Sequence, residues 1–334
     1  MAGPRAKTPP ADDDQQQILD CIARAEKKAG DDAEFVRLLN ECYAAKNRSG
    51  LRLRSGVPLR AVGAPRDRSP RAQQIMKDPR YLQNARELAR RTQGGTRVIG
   101  GTRVPKNGFL DCVAVGNDTD WGCTGTLIAP DVVITAGHCA SFATRVYFGP
   151  DVSKPGKIVK VRQRVRHPQY RQGGKQNDLM VLLLATRVET IAPRAIATKT
   201  TIDKATDGRV VGFGNTDPLG STGYGVKRQV DVPIASPACK GTVDGESDQT
   251  AYGCDVGLEF VAGKPLLAKD SCTGDSGGPF YVDDVDDGNG EWVIAGATSR
   301  ATNSAPNDCG DGGVYVRLDR YRSWIDSIPG VTLP

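Results

Sequence analysis

Both histidines of this 334-residue chain, His138 and His167, lie upstream of the segment Gly274-Asp275-Ser276-Gly277-Gly278-Pro279. That order limits the folds that can use the segment. A nucleophilic serine needs an exposed Oγ, a base beside it and backbone N–H groups aimed at a developing oxyanion; flanking glycines permit the tight backbone this takes. G-x-S-x-G fits several hydrolase folds, but an α/β-hydrolase takes its histidine from after the serine. No histidine follows Ser276, so that fold is excluded for this site.

The texture of the chain points the same way. From about residue 98, short β-like runs (Val132–Thr135, Lys157–Val165, Leu179–Ala185, Arg209–Phe213, Trp292–Ala297) are separated by Gly, Pro, Asn and Asp. Regular short strands with turn residues between them, in a chain with 39 glycines, predict an all-β domain rather than a helical bundle. A final helix is expected over Asp319–Ile328. No apolar run approaches the roughly 20 residues needed to span a membrane.

Residues 1–97 read differently. Residues 15–29 and 32–47 carry apolar side chains at helical spacing, and a third helix is expected over 78–91. Two helices joined by so short a turn pack antiparallel, which sets Cys21 level with Cys42 and predicts a bridge between them. Residues 48–75 form an Arg/Pro/Gly/Ser linker. Residues 1–97 hold 20 Lys/Arg against 12 Asp/Glu, and residues 98–334 hold 25 against 27. The basic residues of the linker are not interleaved with aromatics, so they read as a solvated segment and not as a nucleic-acid site. A protein partner for the helical region is the remaining expectation there. Nine cysteines suggest disulfides and an oxidising compartment. With no CxxC pair and two histidines, they do not suggest a metal site. No apolar leader segment is visible at the N-terminus, so secretion is expected from the cysteines alone, with an intracellular effector as the alternative.

Three segments in order then carry a resemblance. Thr135-Ala136-Gly137-His138-Cys139, Asn177-Asp178-Leu179-Met180 and Gly274–Pro279 resemble the His, Asp and Ser segments of trypsin-like serine proteases. The likeness covers residues 98–334 and not 1–97. It implies two six-stranded antiparallel β-barrels, about 98–205 and 206–334, with a C-terminal helix. It implies a serine endopeptidase with the triad His138, Asp178 and Ser276, an oxyanion hole from the N–H groups of Gly274 and Ser276, and no cofactor or metal. His167, in Arg-His-Pro-Gln-Tyr, reads as a structural strand-end residue. Asp270 resembles the pocket-base residue that selects Arg or Lys, and Gly313 the small wall residue that leaves room for it. Protein or peptide substrates and a monomeric enzyme follow.

The same resemblance pairs Cys123 with Cys139, Cys239 with Cys254 and Cys272 with Cys309, leaving Cys112 either free or tied to the N-terminal segment. Val98-Ile99-Gly100-Gly101 resembles a mature N-terminus, so cleavage after Arg97 would free an amine to pair with Asp275. A second Arg-Val pair, Arg103-Val104, competes for that role. Departures are also legible. Ser299-Arg300-Ala301 stands where the family has Ser-Trp-Gly lining the substrate channel, which alters the second substrate subsite. Gly137 replaces an Ala, and Phe213 a Trp.

Overall fold

The structure is a computed structural model, and it describes residues 24, 28, 101–171, 174–215, 223–243, 245–263, 270–284, 291–303, 305 and 310–333. Of the three expected N-terminal helices, only Arg24 and Lys28 are described, both helical; the rest of that expectation and the Cys21–Cys42 bridge lie outside the described residues. Residues 100–334 belong to one compact unit.

Two six-stranded barrels fill this unit. The first is a closed ring of β2 (Cys112–Gly116), β3 (Cys123–Ala129), β4 (Val132–Thr135), β7 (Met180–Leu184), β6 (Lys157–Arg166) and β5 (Arg145–Phe148). In the second, β9 (Arg228–Ser236), β12 (Glu259–Ala262), β15 (Gly313–Arg317), β14 (Trp292–Ala301), β13 (Pro279–Asp283) and β8 (Asp207–Gly212) follow one another, and β8 returns to β9. All these pairings are antiparallel. A short β1 (Thr102–Arg103) adds to β9, and β10 (Thr242–Val243) with β11 (Glu246–Ser247) make a separate hairpin.

β7 explains why an all-apolar run can be a strand. Its residues are buried on both faces. Met180, Leu182 and Leu184 face the first barrel's interior cluster, while Val181 and Leu183 join the cluster shared with Val211, Phe213, Tyr281 and Ile294 of the second barrel. Strand alternation thus delivers one set of side chains to each core. The second barrel's interior holds Phe260, Phe280 and Tyr315 packed ring against ring.

Three short helical pieces accompany the barrels. α1 (Lys199–Lys204) is capped by Thr198, whose hydroxyl accepts from the Thr201 amide, and α2 (Asp248–Tyr252) is capped in the same way by Ser247. Both are too short to show helical periodicity, and the sequence reading did not find them. The expected Asp319–Ile328 helix is shorter and divided: a 3-10 turn over Leu318–Arg320, then α3 (Arg322–Asp326). Its apolar side, Tyr321, Ile325 and Ile328, closes the shared cluster. His167 sits edge-on against Tyr321 and Trp324, a packing role. No helix among the described residues is long and apolar enough to cross a membrane.

Candidate active site

The chain leaves β4 into a 3-10 turn, Gly137–Ser141, which carries His138. Asp178 arrives just before β7, after Asn177 in the left-handed region (φ 53°), a conformation Asn tolerates better than most residues. Asp178 is 3% exposed, and its carboxylate is fully engaged. Its Oδ1 accepts from the His138 amide at 2.9 Å; its Oδ2 accepts from His138 Nδ1 at 2.8 Å and from the Ser299 hydroxyl at 2.7 Å. Because a carboxylate can only accept, Nδ1 carries a proton, and in the neutral imidazole it is Nε2 that keeps the lone pair. The imidazole itself remains open to solvent, its side chain 36% exposed.

Ser276 lies on a loop tied to the first barrel. The Thr124 amide donates to Ser276 O at 2.9 Å, and the Thr124 hydroxyl donates to Gly274 O at 2.8 Å. Thr135 in turn donates to Thr124 O at 2.7 Å, one residue before Ala136 and Gly137 lead to the histidine. Gly277 has φ +77°, and a Cβ there would stand 2.2 Å from Thr135 Oγ1 and 2.3 Å from the Ala136 nitrogen, so only glycine fits. The Gly274 and Ser276 amides find no acceptor among the described residues and stay available to a ligand. Ser276 Oγ makes no hydrogen bond to His138 in this state; such contacts are often loose before substrate binds.

The Cys123–Cys139 disulfide closes the base of this region and Cys239–Cys254 braces the second barrel, both as expected. Cys272 is also disulfide-bonded; its expected partner Cys309 lies outside the described residues. The Cys123 and Cys139 sulfurs lie within 4.8 Å of a His138 ring nitrogen. Their bond to each other leaves no thiolate for a metal. Cys112 is free and buried, its thiol donating to Val211 O at 3.6 Å, and burial pushes its pKa up.

Asp270 packs against β15. The Tyr315 hydroxyl donates to Asp270 Oδ1, and a Cβ on Gly313 would stand 2.7 Å from Oδ2. Although the residue as a whole keeps partial exposure, its carboxyl is enclosed, and burial pushes it up to about 7, against the Tyr315 and Ser271 hydrogen bonds that favour the charged form. Asp275 is buried too; its Oδ1 accepts from Gly214 N at 2.8 Å and its Oδ2 from Cys272 N at 2.9 Å. Burial raises it to about 6. Asp275 and Asp270 share a small cavity of about 30 Å³ with Gly101, Gly212, Gly214 and Arg228. Arg97 and Val98 lie outside the described residues.

A profile of the trypsin family matches residues 98–325. The chain belongs to the trypsin family. It is 30% identical over 243 residues to "Trypsin-4" of Rattus norvegicus, covering 69% of this chain and 88% of that one. It is 28% identical over 274 residues to "Melanization protease 1" of Drosophila melanogaster, covering 70% of this chain and 66% of that one. It is 28% identical over 244 residues to "Serine protease 1" of Homo sapiens, covering 69% and 88%. The chain thus carries a trypsin-family serine endopeptidase domain in two β-barrels.

Sequence reasoning missed three features of this trypsin-family site. Tyr315, the partner of Asp270, sits two residues after the expected wall residue Gly313. Ser299, expected along the substrate channel, turns its hydroxyl to Asp178. Arg300 is held by a buried acid: its guanidinium forks onto Glu259 with both N···O distances 2.7 Å, and it also donates to Gly253 O and Lys175 O. Glu259 is 1% exposed; burial pushes its carboxyl up, and Arg300 opposes that.

Proposed function

We propose that this chain is the zymogen of an endopeptidase that cleaves after Arg or Lys through His138, Asp178 and Ser276. The observation that carries the reading is the His138 Nδ1–Asp178 Oδ2 contact of 2.8 Å, which leaves Nε2 as the free base on the side open to solvent. Ser276 Oγ attacks the scissile carbonyl carbon while Nε2 takes its proton. The oxyanion is received by the Gly274 and Ser276 amides, where losing one donor typically costs about 10²–10³ in rate. The tetrahedral intermediate collapses, the C–N bond breaks, and the imidazolium gives its proton to the leaving amine. Water, deprotonated by the same nitrogen, then attacks the acyl-enzyme and releases the acid, restoring Ser276.

The Asp270 carboxylate, which any side chain at Gly313 would crowd, supports preference for a substrate guanidinium or ammonium. Residues 1–97 are the propeptide in this reading, and Arg97–Val98 is the activation bond. Gly101, three residues after Val98 in the sequence, lines the same cavity as Asp275, which supports this reading. The competing bond, Arg103–Val104, is held in the sheet: Arg103 pairs with Arg228, and the Val104 amide donates to Lys227 O at 3.1 Å. A protease needs its target bond unpaired. The disulfides fit an oxidising, extracellular setting.

Mass spectrometry of the protein before and after it gains activity on an Arg ester tests this. A new N-terminus at Val98 appearing with activity supports it. Full activity in the intact chain refutes the zymogen half. A Ser276→Ala precursor that stays whole alone, and is clipped at Arg97 by active enzyme, extends it to self-activation in trans.

A further inference from the structure

A cleft of about 900 Å³ opens beside His138, lined by Gly137, Ala140, Arg164, Arg166, Met180 and Ser299 among others. It is the mouth of the first barrel, and the sheet register explains its chemistry. On β6, Val159 and Val161 pack into the barrel interior. A register shift falls between Val161 and Gln163, after which Arg164 stands opposite Leu182 and Arg166 opposite Met180. Directly paired residues share a face of the sheet. Two arginines therefore continue the barrel's apolar lining at its open end, where both are exposed.

Neither forms an ion pair among the described residues. Arg164 Nη1 donates to Ala140 O at 2.6 Å, and the Arg166 guanidinium lies 5.4 Å from the centre of the Tyr170 ring. The third arginine on the cleft, Arg300, already has its carboxylate in Glu259. The one acid among the described lining residues, Asp178, is occupied by His138 and Ser299. Among the described residues the cleft thus presents two cations and no uncommitted anion.

A peptide can reach it by extending from the Asp270 pocket. β13 pairs with β14 only as far as Ala297, while Arg300 and Ala301 still pair with β15. The outer edge of β14 at Ser299–Ala301 is thus unpaired among the described residues, between Asp178 at one end and Gly313 at the other. An extended acyl half added there places successive side chains on opposite faces. If the cleaved residue's side chain enters the second barrel's pocket, that of the residue before it points to the mouth of the first.

We propose that this cleft is a subsite for an acidic side chain immediately N-terminal to the cleaved residue, received by Arg164 and Arg166. The proposal rests on the peptidase reading above. The test uses the protein with Val98 as N-terminus and paired quenched peptides that differ by Glu or Gln at that position before Arg. A preference for Glu of about tenfold in kcat/KM is expected, equivalent to 1.4 kcal/mol. It should fall to near unity in Arg164→Gln/Arg166→Gln and shrink at high salt. The Glu/Gln ratio does not depend on how much of a variant folds. Equal cleavage of both peptides by the unaltered protein, or a Glu preference that survives in the double variant, overturns the subsite and leaves the peptidase reading standing. Failure to cleave either peptide, or a simple Arg ester, overturns both.

Discussion

The Tyr315 hydroxyl donates to Asp270 across 45 positions of sequence, at the place a side chain on residue 313 would otherwise occupy. That contact favours the carboxylate, yet burial prevails and holds the acid at about 7. An incoming guanidinium must meet the charged form. The dissociation constant of a small guanidinium ligand should therefore rise as pH falls below about 7, approaching tenfold per unit. Calorimetric titration between pH 5 and 9 measures this. Tyr315→Phe, which removes a donor to the carboxylate, should move the break to higher pH.

The same burial sets a stability trend. Asp270 and Asp275 are raised in the folded chain to about 7 and about 6, against about 3.9 for an unfolded Asp. Between those values the folded state holds more protons, so their contribution to stability is complete below about pH 3.9 and is lost as pH rises through 6 to 7. These two groups should lower the Tm of the uncleaved protein at pH 8 relative to pH 5. Asp270→Asn should flatten that part of the profile.

Arg300 and Glu259 form a buried pair in place of an aromatic channel wall. Removing one partner of such a pair costs about 3–5 kcal/mol, because the other charge stays buried alone. Arg300→Leu should therefore lower stability to urea by about that amount. Adding Glu259→Leu should return most of the loss. Additive losses would show that the pair is not energetically coupled.

How much of this was legible depended on distance along the chain. Each of the His138, Asp178 and Ser276 segments is a handful of consecutive residues, so their chemistry could be read locally. The strands Val132–Thr135 and Lys157–Arg166 announced themselves through β-rich runs between turn residues. The contacts that finish the site are not local. Ser299 reaches Asp178 from 121 positions away, and Arg300 reaches Glu259 from 41. Nothing near Glu259 marks it as the partner of an arginine, because β12 and β14 do not pair directly and are set side by side only by β15 between them. The Arg164 and Arg166 pair was hidden for another reason. Its facing is set by a register shift in β6, and one slipped residue would turn both side chains to the other surface.

The central claim is that Ser276 is a nucleophile activated by His138. Reaction of the activated protein with a fluorophosphonate ester, in which Ser276 Oγ displaces fluoride from phosphorus, followed by peptide mapping, tests it most directly. The account predicts one adduct, on the peptide bearing Ser276, with labelling largely lost in His138→Ala. An adduct on a different serine, or labelling of Ser276 that is as fast without His138, would contradict it.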